Sequence, residues 1–333
     1  MSWLASEPSP ADEVARLARD VQRGLTARPR WLPPKYFYDA VGAALFDRIT
    51  ALPEYYLTRA EDAILAAVAG VIVGRLRPAE IVELGPGSCA KVRRLLDVVD
   101  HGGAMRYVPF DVGGAALAQA LNTLARDYPT LDVRPVVGDF EHDLDRLPPP
   151  TGGRLVLFLG STIGNFDPTA SRRLLGELRR RLGPGGRLLL GVDLVKDRRV
   201  LEAAYDDAAG VTAAFNRNIL DVINRGLDGD FRSEAFRHHA FYNDAACRIE
   251  MHLVSATPQR VRLRRLGLTL DFEAGASIWT ESSYKHTRRS VADMLRAASL
   301  ALEGWFTDRE QRFALVLARA RSAALSEEPG LES

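Results

Sequence analysis

The chain has 333 residues, 47% hydrophobic and 26% charged, enough to bury a full core in two domains and outside the range of disordered chains. Lys and Arg total 44 against 43 Asp and Glu, which argues against a protein that binds nucleic acid mainly through phosphates. Cys89 and Cys247 are too few for a disulfide framework or a Cys-based zinc site, and the longest apolar run, Ala63 to Gly74, is shorter than the roughly twenty residues a bilayer span needs.

The N-terminal segment mixes Asp12, Glu13 and Asp20 with arginines and contains no apolar h-region, so no signal peptide and a cytoplasmic location are expected. Glu61 to Arg75 carries apolar residues at helical spacing. A short β-rich run, Glu80 to Leu84, follows and is broken by Gly85-Pro86-Gly87. Cys89 to Val99 reads as a helix, Arg106 to Asp111 as a second strand, Gly114 to Asp127 as a helix and Val133 to Asp139 as a third strand. Arg154 to Ser161 is a fourth strand, Thr169 to Leu182 a helix stopped by Gly183-Pro184-Gly185-Gly186, and Arg187 to Val195 a fifth strand. Strands separated by such helices imply βαβ units, hence an α/β fold with a parallel sheet covered on both faces.

After Lys196-Asp197 the rhythm changes. Arg199 to Leu227 predicts a long helix with a possible break at Gly210. Arg248 to Leu253, Val261 to Leu266 and Leu268 to Phe272 predict an antiparallel meander, and His238-His239 a solvated loop pair. A last helix, Ser290 to Leu302, precedes Gly304 to Asp308 and the strand Phe313 to Arg319, an antiparallel edge pair for the parallel sheet. The simplest assembly is a nucleotide-type α/β domain from residues 61–196 and 288–322, with a second α+β domain from 1–60 and 197–287. The tail after Arg321 is expected to fray.

Parallel sheets bind ligands beyond the carboxyl ends of their strands. Glycines at 85 and 87 let the backbone turn sharply there and let a ligand approach closely. With Ala90 they fit a relaxed G-x-G-x-x-A fingerprint, which alone is weak and also occurs as a bare βα turn. Three carboxylates at successive strand ends favour S-adenosylmethionine over a dinucleotide. Glu83 resembles the acidic residue opening the first motif of class I methyltransferases. Asp111 can accept both ribose hydroxyls, which would suit NAD equally, and Asp139 beside Phe140 stands where methyltransferases hold the adenine. Singly, each is more often a solvated loop residue. Together they resemble a class I, Rossmann-like, doubly wound methyltransferase core.

The fourth strand is a continuous apolar run, as a strand buried on both faces should be, and ends in Gly160-Ser-Thr-Ile-Gly-Asn165. The Asn165 amide can donate to a carboxylate and accept from an amine, although a helix N-cap before Pro168 is the plainer use of this spacing.

Longer motifs carry a closer resemblance: Pro33 to Gly42, Leu52 to Tyr56, Gly160 to Asn165, Asp193 to Asp197, Tyr205 to Asn218, Arg248 to Met251 and Thr280 to Lys285. Across about residues 12–320 the chain resembles the histidine-specific SAM-dependent methyltransferases, the L-histidine Nα-methyltransferases of ergothioneine biosynthesis. The resemblance implies three methylations of the histidine α-amine to give hercynine, with histidine bound between two domains. It implies Tyr55, Asn165 and Tyr205 at the amino-acid head group, Tyr38 near the α-amine, Glu281 and Ser283 at the imidazole nitrogens, and Phe46 and Met251 in the pocket wall. Ser283 rather than Ser282 is assigned by register. For S-adenosylmethionine it implies Gly85, Lys91, Asp111, Asp139 and Phe140. No metal, nucleic-acid or membrane partner is implied, and a monomer is expected.

Methyl transfer from a sulfonium is an in-line displacement, so alignment is the main requirement. The amine must lose a proton before each transfer, to bulk water or a tyrosine hydroxyl, since no His or Lys in these motifs is placed as a strong base. Tyr38, Tyr55 and Tyr56 are candidates for an aromatic wall around the quaternary product, although such clusters are more often plain core. The remaining histidines match no metal spacing, and the arginines from 260 to 265 alternate as on a half-exposed strand. Three other functions compete: the same fold acting on another amine such as a tryptophan derivative, an NAD-dependent oxidoreductase, and a non-catalytic cofactor-binding module.

Overall fold

The computed structural model describes residues 10–99 and 105–321; the tail after Arg321 and His101 lie outside the described residues. The chain opens with α1 (Pro10–Thr26), the two-residue β1 (Arg30–Trp31), a 3-10 turn at Pro34–Phe37 and α2 (Ala40–Thr50). Asp39 starts α2 by accepting the Gly42 N–H at 2.8 Å. The alternating region runs α3 (Leu57–Leu76), β2 (Glu80–Leu84), α4 (Ala90–Leu96), β3 (Arg106–Asp111), α5 (Gly114–Asp127), β4 (Asp132–Val133) and β5 (Val136–Val137). It continues with β6 (Arg154–Phe158), α6 (Pro168–Arg181) and β7 (Arg187–Asp193). Then come α7 (Arg198–Tyr205), α8 (Val211–Leu227), β8 (Phe236–Asn243), β9 (Arg248–Ser255), β10 (Gln259–Leu263), β11 (Leu268–Phe272) and β12 (Ser277–Tyr284). α9 (Arg288–Ala297), β13 (Leu300–Thr307) and β14 (Phe313–Ala320) close the described chain.

The large sheet has the order β13-β14-β7-β6-β2-β3-β4, with β5 also paired to β3. Its centre is parallel, and β14 joins β7 antiparallel with β13 outside it, as the sequence predicts. Side chains alternate across its strands with a period of two. Ile81, Tyr107, Leu155 and Leu189 pack toward α3, α4 and α5, while Val82, Val108, Val156 and Leu188 pack toward α6 and α9. Covering both faces explains why β2 and β6 are buried along their full length.

The smaller sheet has the order β1-β12-β9-β8, and β10 and β11 form a separate hairpin. This corrects the predicted meander: both edges of β9 are taken, by β8 and β12, so β10 pairs with β11 and bridges to Gly229 at Leu263 instead of joining β9. The His238-His239 pair lies on β8 rather than in a loop. The predicted third strand is two short pieces, because Pro135 between them has no N–H for the ladder. The last helix ends at Ala297, five residues before the predicted Leu302; Ser299 turns at φ +58° and Leu300 already pairs with Ala320. The break at Gly210 is real: its φ of +69° opens α8, whose first N–H groups at Val211 and Thr212 are taken by the Asp207 carboxylate.

Two local features bring the sheets together. The pairing of β12 with β9 shifts between Trp279 and Glu281, a bulge that makes Thr280 an extra residue. Thr280 donates to Asn216 of α8 at 2.7 Å, and beyond it Ser283 and Lys285 turn toward Tyr205 and the large sheet. The loop after β6 then lies on β12, where a Cβ at Gly164 would stand 3.0 Å from the Tyr284 carbonyl oxygen. Gly164→Ala is expected to lower stability by about 1–3 kcal/mol in chemical denaturation and to reduce turnover, because the backbone facing it cannot retreat without moving β12. Wild-type stability in this variant would refute the close approach.

Candidate active site

The carboxyl ends of β2, β3, β5, β6 and β7 lie along one edge of the large sheet, where a parallel sheet leaves its crevice. Gly85 and Gly87 turn at φ +66° and +53° with open space where side chains would stand, so a ligand can approach that backbone. Glu83 lies beneath, buried, accepting the Tyr107 hydroxyl at 2.5 Å, and burial pushes its carboxyl up to about 7. It props the turn from inside the sheet. Asp111 at the tip of β3 is half-buried and accepts the Gly113 N–H at 3.0 Å; burial raises its pKa. Asp139 is buried and accepts the Glu141 N–H and the Lys35 ammonium, both at 3.0 Å. Burial pushes its pKa up, but Lys35 and the N–H bring it below the usual value. Lys35 also pairs with Asp20 of α1 at 2.9 Å, so the N-terminal segment reaches the crevice. The Phe140 ring meets Phe158 edge-on at 5.5 Å.

Lys91 points to Glu61 of α3 at 2.6 Å, and the other oxygen of Glu61 accepts the Gly160 N–H at 2.7 Å. Glu61, which the sequence reading did not single out, thus ties α4 to the loop after β6. Asn165 ends the 3-10 turn Thr162–Asn165 and is half-buried. The helix N-cap expected before Pro168 is present: it is Asp167, which accepts the N–H groups of Thr169 and Ala170 at 2.8 Å and leaves Asn165 outside that role.

Across the crevice, Glu281 pairs in register with Met251, which is buried. No described residue hydrogen-bonds the Glu281 carboxylate, and burial pushes it up to about 7 despite the opposing Lys285. Ser283, on the same face, meets the Tyr205 hydroxyl at 2.7 Å. The Tyr55 ring lies 6.5 Å from Tyr205 and 6.0 Å from Phe46, and Tyr38 lies 5.5 Å from Phe46 and 5.6 Å from Phe215. Tyr38 is 44% exposed, which places it at the mouth. Tyr56 does not join this wall: its hydroxyl donates to Asp193 at 2.8 Å, and Phe46 and Phe215 fill the place expected for it. Among the described residues no group of three or more His, Cys, Asp or Glu is placed to hold a metal ion, and no helix is long and apolar enough to cross a membrane.

The model of the histidine-specific, SAM-dependent methyltransferase family matches residues 17–320. The chain belongs to that family. It is 48% identical to the histidine N-alpha-methyltransferase of Mycobacterium tuberculosis, over 91% of this chain and 94% of that protein. It is equally identical to the protein of that name from Mycolicibacterium smegmatis, over 92% and 96%. The ergothioneine biosynthesis protein 1 of Neurospora crassa is 31% identical over 76% of this chain and 31% of its own length. Among solved structures, the CcbJ methyltransferase of Streptomyces caelestis is 15% identical over 78% of this chain and 95% of that chain, with a TM-score of 0.45, a likeness too distant to carry an argument.

The two sides of this methyltransferase are joined by charges that the sequence reading did not single out. Asp193, at the tip of β7, pairs with Lys285 at 2.8 Å, both side chains at 0% exposure, and with Lys196 at 2.5 Å. Lys285 also donates to Tyr205 and Ser283. Asp193 and Lys285 stand at the ends of two of the family-like motifs, and for Asp193 a charge closing an apolar strand was the available signal. His238 corrects the loop reading further: its ring is buried, with Nε2 2.8 Å from the Tyr205 carbonyl oxygen and Nδ1 2.9 Å from Asn216, so it holds the backbone of Tyr205. Asp193→Ala in the methyltransferase leaves two ammonium groups without their carboxylate, and the expected loss is about 3–5 kcal/mol in urea unfolding. A loss under about 1 kcal/mol, the value of an exposed pair, would show that water reaches this ion pair.

Proposed function

We propose that the protein transfers methyl groups from S-adenosylmethionine to the α-amine of L-histidine three times, giving hercynine (Nα,Nα,Nα-trimethyl-L-histidine), the first step of ergothioneine biosynthesis. The observation that carries this reading is Glu281. A carboxylate without a hydrogen-bond partner among the described residues, desolvated and beside a buried hydroxyl pair, suits a ring that offers an N–H and a second nitrogen. The family and the names of the relatives above support the same substrate.

In this reading residues 61–196 and 288–322 form the cofactor-binding domain, and 1–60 with 197–287 the amino-acid domain. The open turn at Gly85 and Gly87, the half-buried Asp111 and the Asp139–Phe140 corner fit the cofactor's methionine, ribose and adenine parts, with Lys91 beside the loop after β6. The cofactor supplies an electrophilic methyl group; the protein supplies alignment. Tyr55, Asn165 and Tyr205 hold the amino-acid head group, Glu281 and Ser283 the imidazole, and Met251 and Phe46 close the wall. Tyr38 lies at the exposed mouth beside the amine, so protons leave toward water there. The rings of Tyr38, Phe46, Tyr55 and Phe215 offer π faces to a quaternary ammonium that has no hydrogen left to donate, an attraction of about 0.5–2 kcal/mol. Two free cysteines, Cys89 buried and Cys247 exposed, support a reducing, cytoplasmic setting.

Incubation with L-histidine and S-adenosylmethionine is expected to add three methyl masses to histidine; preferential methylation of tryptophan in a competing mixture would overturn the substrate. Glu281→Ala is expected to lower kcat/KM for histidine about ten- to a hundredfold with S-adenosylhomocysteine affinity unchanged, read by calorimetry. Glu281 also carries a pH signature. Its pKa is raised in the folded state, so the folded protein holds that proton longer than the unfolded chain, and stability falls as pH rises from about 4.5 through about 7. Glu281→Gln removes that loss and is expected to raise stability at pH 8 by on the order of 2 kcal/mol, with no gain at pH 4. A gain independent of pH would assign the effect to packing instead.

A further inference from the structure

The hydroxyl oxygens of Tyr205 and Ser283 lie 2.7 Å apart, which requires a proton between them, and distance alone does not say whose. Lys285 bears on both oxygens. Its ammonium has three hydrogens and three partners: Asp193 Oδ2 at 2.8 Å, Ser283 Oγ at 2.8 Å and the Tyr205 oxygen at 3.0 Å. Both hydroxyl oxygens therefore accept from Lys285. Of their own two hydrogens one is used in the contact between them, and one is left. No other described group accepts from either hydroxyl, and Ser283 shares a strand face with Glu281.

We propose that Lys285 is a positioning residue that fixes which protonation state of the substrate ring the pocket accepts. A phenol is the stronger acid and the better donor and an alkyl hydroxyl the better acceptor, so Tyr205 donates to Ser283; the two lone pairs of Ser283 are then filled by Tyr205 and Lys285, and Ser283 presents only a hydrogen to the ligand. Glu281 opposite presents only acceptors when ionised. The pocket then takes a ring with one N–H, directed at Glu281, and one unprotonated nitrogen, directed at Ser283: a single neutral imidazole tautomer. Imidazolium is turned away, because its second N–H meets the hydrogen of Ser283. A carboxylate acting alone would do the reverse and favour the cation. The charge on Lys285 is secure: burial works against it, but Asp193 and the Tyr205 oxygen hold its pKa above the ordinary lysine value. The inference rests on the reading that histidine places its ring between Glu281 and Ser283.

The test uses the intact protein saturated with S-adenosylhomocysteine and ring-15N-labelled L-histidine, observed by 15N NMR at pH 7.5. The expected spectrum has one protonated and one unprotonated ring nitrogen, without averaging between tautomers. Two protonated nitrogens in the bound ring would overturn the role of Lys285 while leaving histidine as the substrate. Absence of any bound-histidine signal would overturn the histidine reading itself, and the inference with it. In Lys285→Met, Ser283 regains a free lone pair, so the bound ring is expected to average its tautomers or become imidazolium, with histidine affinity weakened about tenfold or more. The wild-type tautomer persisting in that variant would reduce Lys285 to a structural part. Should Lys285→Met fail to fold, Ser283→Ala removes the same donor, and it must likewise lose the fixed tautomer for the inference to stand.

Discussion

The pocket depends on one buried ion pair. Asp193 is the last residue of a central strand of the large sheet, and Lys285 directly follows the strand of the small sheet that carries Glu281 and Ser283. Removing both charges from water costs several kcal/mol per ion, and the Coulomb attraction recovers this only with good geometry and further hydrogen bonds. Those bonds are present: Tyr56 and Lys196 on the carboxylate, Tyr205 and Ser283 on the ammonium. An apolar pair would hold the sheets together as well or better. It would not fix their spacing to the fraction of an ångström that in-line transfer demands. Lys196 bears the cost of this arrangement: burial and the neighbouring Lys285 lower its pKa to about 8.

The same desolvation acts on the phenols. Tyr55 and Tyr205 have pKa values pushed above the ordinary tyrosine value, chiefly by burial, so both remain protonated while the amine loses its hydrogens. A ring held neutral keeps its π face available to a cation, and the Tyr55 hydroxyl stays available as a donor. The aromatic wall is therefore compatible with every stage from primary amine to quaternary ammonium. A wall of carboxylates would attract the first species and also hold the last too strongly for release.

The large sheet was legible because its strands are buried on both faces. Glu80 to Leu84 and Arg106 to Asp111 are read from sequence with the same limits the structure gives, and the glycines after the first strand mark the crevice. The small sheet was less legible because its strands serve a polar pocket. β8 carries His238 and His239, β12 reads Thr-Glu-Ser-Ser, and neither shows an apolar run; β12 also changes phase at its bulge. Site residues inside long motifs could be named from the family resemblance alone. Their partners could not: Asp193 and Lys285 are separated by most of the second half of the chain, and no local pattern joins them. The role of Tyr56 was hidden for the same reason, because adjacent tyrosines in an irregular segment do not reveal which one reaches Asp193.

The division of labour follows from these physical differences. A parallel sheet with saturated, apolar strands gives rigid tips but few polar side chains, so it suits a cofactor held largely by backbone and a few carboxylates. A half-polar antiparallel sheet can change its ligand chemistry one alternate residue at a time without disturbing the first. Glu281 and Met251 sit side by side on neighbouring strands, and neither is hydrogen-bonded to the Asp193–Lys285 junction that sets the spacing. Substitutions at those two positions alter what the pocket pairs with and how much room it has. Substitutions at Asp193 alter where the pocket is. Specificity can therefore vary in this architecture while transfer geometry is retained, provided the buried charges remain.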